Sequence, residues 1–164
     1  MDLTKDALLR SLGSARDHVA GALEGLDAEA LTRPVLPSGW TCAGLVQHLA
    51  LDVERFWFRA VVAGEPAVWE SLDDDSSSAW ELADDTDPLS VLARYRDEAR
   101  LADEVIAALP LDAPPARWPA ELFGDFRLPD LRAVLLHVLT ETSTHAGHLD
   151  AARELIDGRT WLVL

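Results

Sequence analysis

The chain has 164 residues, 49% hydrophobic and 26% charged, a balance that predicts one globular domain over residues 1–164 rather than a disordered chain. Its 14 basic and 29 acidic residues leave a net charge of −15, which repels phosphate backbones and excludes nucleic acid as a partner. The lone cysteine, Cys42, excludes an internal disulfide and a four-cysteine zinc site. No apolar run reaches the ~20 residues of a bilayer span, and the charged start lacks the apolar core of a leader, so no membrane partner and a cytoplasmic location are expected.

Strand-like alternation is nearly absent, and four long stretches carry helical periodicity. In the first, residues 3–26, Leu8, Leu12, Ala15, Val19, Ala22, Leu23 and Leu26 recur at steps of three and four and make one apolar stripe. A break near Gly25 leads into an irregular stretch with two prolines. Thr41 is placed to cap the second helix, with Trp40 and Leu45 spaced as a hydrophobic staple. Leu45, Leu49, Val53, Phe56 and Trp57 continue its inner face, and Gly64 and Pro66 end it.

Residues 65–87 read as a long acidic loop. Glu65, Glu70, Asp73, Asp74, Asp75, Glu81, Asp84, Asp85 and Asp87 fall there with no basic residue, and Trp69 and Trp80 pin it. Asp87-Pro88 opens the third helix, in which Leu89, Leu92, Tyr95, Ala99, Ala102, Val105, Ile106 and Leu109 face inward. After a proline-rich linker, Pro129 opens a fourth helix of about 29 residues, or about 43 Å, which ends before Gly158. Leu131, Val134, Leu135, Val138, Leu139, Leu149, Ala152, Leu155 and Ile156 form its stripe, and the apolar tail from Thr160 packs back on the body. The fold class is all-α, a four-helix bundle with long connections.

The five histidines carry the chemistry. At about 100° per residue from Val138, His145 falls about 20° from the buried centre, Glu141 about 60° and His148 about 80°. Glu141 and His145 are an i, i+4 pair whose side chains can converge on one ion. His48, between Leu45 and Leu49 on the second helix, can join them if the two helices face each other. A carboxylate buried among them takes a cation or neutralises itself, and two neutral imidazoles with one carboxylate suit zinc, nickel or ferrous iron with positions left open; the alternative is two satisfied core histidines and a Glu141 that reaches solvent or an arginine. His148 competes as a ligand, supports the ligands from behind, or lines the pocket mouth. Asp52, one turn after His48, is placed to orient that ring. His137 is expected to hydrogen-bond within the helix layer, and His18 to lie on the surface. Cys42 reads as structural; Ser143 and Thr144 beside His145 have no orienting acid.

The stretches SGWTCAGLVQHLALDVERFWF and LRAVLLHVLTETSTHAGHLDAARELIDG resemble the DinB/YfiT-like superfamily of metalloenzymes over nearly the whole chain. The match rests on Trp40, Thr41, His48, Leu49 and Ala50 in the second helix and on His145 in the fourth. Where the common pattern has a first histidine and a final glutamine, this chain has Glu141 and His148. That departure is similar to the His, Glu, His zinc site of the mycothiol-dependent maleylpyruvate isomerases, though their extra C-terminal domain is not expected here, which sets that particular reaction aside. The resemblance implies His48, Glu141 and His145 as metal ligands, zinc foremost with nickel or iron as alternatives. It further implies a small thiol partner, held as a metal-bound thiolate that attacks an electrophilic substrate, with His148 as acid or base, and a homodimer. The net negative charge favours neutral mycothiol over a strongly anionic thiol. The rival expectations are a non-catalytic stress or regulatory module and a metal-dependent hydrolase.

Overall fold

Helices account for every regular element in the computed structural model, which describes residues 3–74 and 79–161, with only the backbone at 73 and 74. Asp75 of the acidic run and residues 162–164 of the tail lie outside the described residues. The four expected helices are present as α1 (Leu3–Leu23), α3 (Cys42–His48) continued by a π-helix (Leu49–Val62), α5 (Val91–Ala108) and α7 (Leu131–Asp157). Three short helices fill the connections: α2 (Ala28–Thr32), α4 (Pro66–Asp74) and α6 (Ala120–Phe123). No helix among the described residues is long and apolar enough to cross a membrane.

Local chemistry sets the boundaries. The Thr41 hydroxyl accepts from the Gly44 amide at 3.1 Å, and Asp87 caps the 3-10 turn Pro88–Ser90 that leads into α5. The fourth long helix starts at Leu131 rather than at Pro129, because Asp130 caps it by accepting from the Ala133 amide at 2.9 Å. Gly158 ends it at φ 76°, a left-handed conformation that suits glycine. The expected acidic loop begins instead as α4: Pro66 suits a first helical turn, and Val68 buries against the core with Trp69 and Leu72 packed beside it.

The π-helix is the central rod. Its apolar residues are covered on nearly every side, from Leu49 and Ala50 through Phe58 to Val61, because α5 and α7 both pack along it. Glu54 is carried inside with them, fully buried, and Arg16 of α1 grips it with two N–H groups at 2.7 and 2.6 Å while also reaching Asp103 at 2.7 Å. Burial raises the Glu54 pKa and the Arg16 contacts oppose that. Leu155, expected in the α7 stripe, is exposed, since it lies about 100° round the helix from Val138. Leu89 is also exposed, at the mouth of α5.

Candidate metal centre

His48 stands at the junction where α3 widens into the π-helix, a kind of irregularity that often marks functional sites. Asp52 accepts a hydrogen bond from its Nδ1–H at 2.8 Å. That bond fixes the tautomer and leaves Nε2 with a free lone pair. From α7, His145 Nε2 lies 3.6 Å from Glu141 Oε2. One ligand atom from each of His48, Glu141 and His145 falls within 4.8 Å of the others, so the structure brings all three residues together.

The donor chemistry fits a divalent ion. Tetrahedral zinc bonds of ~2.0–2.2 Å set donors about 3.4 Å apart, near the Glu141–His145 spacing. Burial pushes the His145 pKa below the usual imidazole range; the nearby His48 adds to this, and Glu141 opposes it. His145 therefore offers a lone pair at neutral pH rather than a charge. Glu141 itself is half-exposed. The cost of a fully buried carboxylate, the premise that pointed to a cation at Glu141, applies to Glu54 instead, where Arg16 meets it.

His148 stands outside the ligand cluster. Its Nδ1 lies 3.3 Å from the Nδ1 of His145, its ring sits 6.2 Å from that of Trp40, and the residue is exposed. One ring of this pair donates and the other accepts: an ion on His145 Nε2 would leave its Nδ1–H to donate to His148, whereas without an ion an Nε2–H faces Glu141 and Nδ1 accepts. His137 makes ring contacts rather than a hydrogen bond within the helix layer: its ring meets Trp57 edge-on at 4.7 Å. Burial lowers its pKa too. His18 is a correction of the surface expectation. It is half-buried between α1 and α7, donating from Nε2 to both Asp150 oxygens at 2.9 and 2.8 Å. The Cys42 thiol is buried and pushed up to about 11, against a nucleophilic role, and Ser143 and Thr144 are exposed.

Gly44 and Gln47 were not singled out from sequence, and Trp80 was read as a pin of the acidic loop rather than as part of the site. Trp80 stacks on His48 at 4.3 Å and 18°, and meets His145 edge-on at 5.6 Å. Its backbone is seated on α3 by Gly44, where a Cβ would come within 2.1 Å of the Trp80 carbonyl oxygen. The buried Gln47 amide completes the hold by donating to the Ala79 and Glu81 carbonyls at 3.1 and 3.0 Å. Gly44, Gln47 and His48 share one face of α3, so the same face that presents the imidazole also carries its tryptophan cover. The sequence signal was Trp80 as one of two tryptophans in an acidic run.

On the other side of His48 and Glu141 a cavity of about 360 Å³ opens, walled by Val53, Phe56, Trp57 and Phe123, with Asp52 and His137 at its polar side.

The model of the Mycothiol-S-transferase family matches residues 7–158 of the chain. No curated protein matches it. No solved structure matches it.

Proposed function

The chain belongs to the mycothiol S-transferase family, and from that premise we propose that it is a metal-dependent enzyme that joins mycothiol to an electrophile in the cytoplasm. The observation that carries the metal is the convergence of His48, Glu141 and His145 from two separate elements. These three would hold a divalent ion, zinc foremost, with nickel or iron compatible with the same donors. What such an ion supplies is a lowered thiol pKa, so that the thiol is a nucleophile at neutral pH.

The side chains divide the remaining work. Asp52 holds His48 in the tautomer that presents Nε2. With an ion on His145 Nε2, His148 would accept from His145 Nδ1 and hold that ring toward Glu141, a positioning role beside the acid or base role that the resemblance implies. Trp80 covers His48 and keeps water from that face of the imidazole. Its seating on Gly44 and Gln47 makes the cover part of the fold rather than a loose loop.

The test is elemental analysis of untreated protein together with a mycothiol assay that uses monochlorobimane. About one equivalent of metal is expected, with metal and thiol transfer both lost in Glu141→Ala. Metal content unchanged in that variant would remove Glu141 from the ligand set. Transfer that survives complete metal removal would overturn the metal-dependent reading.

A further inference from the structure

The cavity beside the histidine–glutamate cluster has a composition that selects its occupant. Its apolar wall is mostly aromatic. Phe56 meets Trp57 edge-on at 5.1 Å, and Trp57 lies nearly parallel to Phe123 at 5.4 Å and 20°. Its polar side is Asp52 and Glu141 with two imidazoles, and among the described residues no lysine or arginine lines it. Arg127 does not supply a cation there, because its guanidinium lies over Trp118 and donates to the Gly124 and Phe126 carbonyls at 2.6 and 2.8 Å. A divalent ion on Glu141 would be offset by the Glu141 and Asp52 carboxylates, and a thiolate on it leaves the site negative, which repels an anionic ligand; aromatic walls favour a flat one. The volume of about 360 Å³ is more than twice that of an engineered apolar cavity that holds benzene, roughly 150 Å³. A larger hollow of about 540 Å³ near Leu31, Leu89 and Arg96 contains none of the histidines and offers no reacting group.

We propose that this cavity binds the electrophile, and that the electrophile is an uncharged, planar molecule of one or two rings. The proposal rests on the thiol-transfer reading for its chemistry, though not for its binding. With an aryl halide the sulfur–carbon bond forms as the carbon–halogen bond breaks. The halide leaves with its electron pair, and the thiol proton goes to the buffer. His48 and Glu141 belong to both the cluster and the cavity wall, so a ring held there presents its edge to the thiol site.

The experiment compares 1-chloro-2,4-dinitrobenzene with 4-chloro-3,5-dinitrobenzoate, an anionic counterpart, each corrected for its uncatalysed rate. Like-charge repulsion predicts a kcat/KM at least about 30-fold higher for the neutral compound. Phe123→Ala, on the short peripheral helix α6, is expected to raise KM for it by about 10-fold while kcat stays within about 3-fold. Equal use of the two compounds, or an unchanged KM in Phe123→Ala, would overturn the assignment. Calorimetry with unreactive 2,4-dinitrotoluene and 3,5-dinitrobenzoate, without thiol, separates the two readings. If dinitrotoluene alone binds, and more weakly to Phe123→Ala, while neither chloride is consumed, the cavity stands and thiol transfer fails. If dinitrotoluene does not bind while monochlorobimane is still conjugated, the cavity assignment fails and thiol transfer stands.

Discussion

Two histidine–aspartate pairs in this protein look alike and differ in what surrounds them. His48 bonds Asp52 at 2.8 Å beneath Trp80, and His18 bonds Asp150 at 2.8 Å beneath Trp161, whose ring lies 5.4 Å away at 17°. Each tryptophan rests on a glycine, Gly44 or Gly21, that has no room for a Cβ. The difference lies in which nitrogen is used and what the other one faces. His48 spends Nδ1 on a carboxylate of its own helix, and its Nε2 is free to meet Glu141 and His145. His18 spends Nε2 on a carboxylate of α7, and the hollow beside it is lined by Ser11, Ser14, Leu139 and Ser143. An oriented imidazole under an indole is therefore not yet a site. In the first pair it orients a donor toward other donors; in the second it ties α1 to α7.

Removing each aspartate should separate the two roles most sharply. Asp52→Ala frees the His48 ring to rotate and change tautomer, and a loss of about 10- to 100-fold in metal affinity is expected. Asp150→Ala should leave metal affinity unchanged and lower stability by about 1 kcal/mol, a Tm decrease of roughly 2–4 °C. Competition with a chelator of known affinity reads the first, and thermal unfolding of the metal-free protein reads the second. Equal metal loss in both variants would erase the distinction.

The α7 half of the site was legible because helical spacing alone places Glu141 and His145 on one side, and His48 was legible from its place between Leu45 and Leu49. The helix cap Thr41 was also readable, since a short polar side chain before an apolar stripe has few other uses, and so was the start of the third helix at Asp87-Pro88. What stayed hidden depends on long-range fit. The same residues 49–62 would suit an ordinary helix with one polar face. Only burial of the rod on nearly all sides brings Glu54 inward, and its partner Arg16 comes from a different helix. The hold on Trp80 uses backbone carbonyls more than 30 residues from Gln47, at |i−j| of 32 and 34, which leave no side-chain pattern to read. The α4 helix was missed because its acidic residues outweighed the short Val68, Trp69 and Leu72 run.

The two glycines give the next contrast. Alanine at 44 would place its Cβ against a backbone oxygen, which cannot turn aside, so the Ala79–Glu81 segment has to lift. Alanine at 21 would meet the ring of Trp161, which is half-exposed near the end of the described chain and can swing away. Gly44→Ala is thus expected to speed metal release several-fold and to weaken the stacking of Trp80 on His48, read as a change in tryptophan fluorescence that a Trp80→Phe control removes. Gly21→Ala should leave metal release as it was. If Gly44→Ala releases metal at the parent rate, Trp80 is a structural pin and not a cover.

The smallest expected effect is on pH dependence, and it too divides the histidines. Burial holds His145 and His137 below the usual imidazole pKa in the folded protein. Once pH drops below ~6.5, the unfolded chain takes up these protons before the folded one does, so the metal-free fold loses stability as pH falls through that value. Above it both states are unprotonated at these rings and the contribution is fully present. Both rings are partly open to water, which keeps the effect modest. Thermal unfolding of metal-free protein between about pH 7.5 and 5.5 should show a falling Tm, and His137→Phe should flatten part of the slope because a phenyl ring keeps the edge contact with Trp57 and has no proton to gain. Excess zinc should flatten it further at the upper end of that range, since an ion on His145 competes with the proton there. A slope unchanged by both treatments would mean that other groups set the acid response and that neither ring is held neutral by its surroundings.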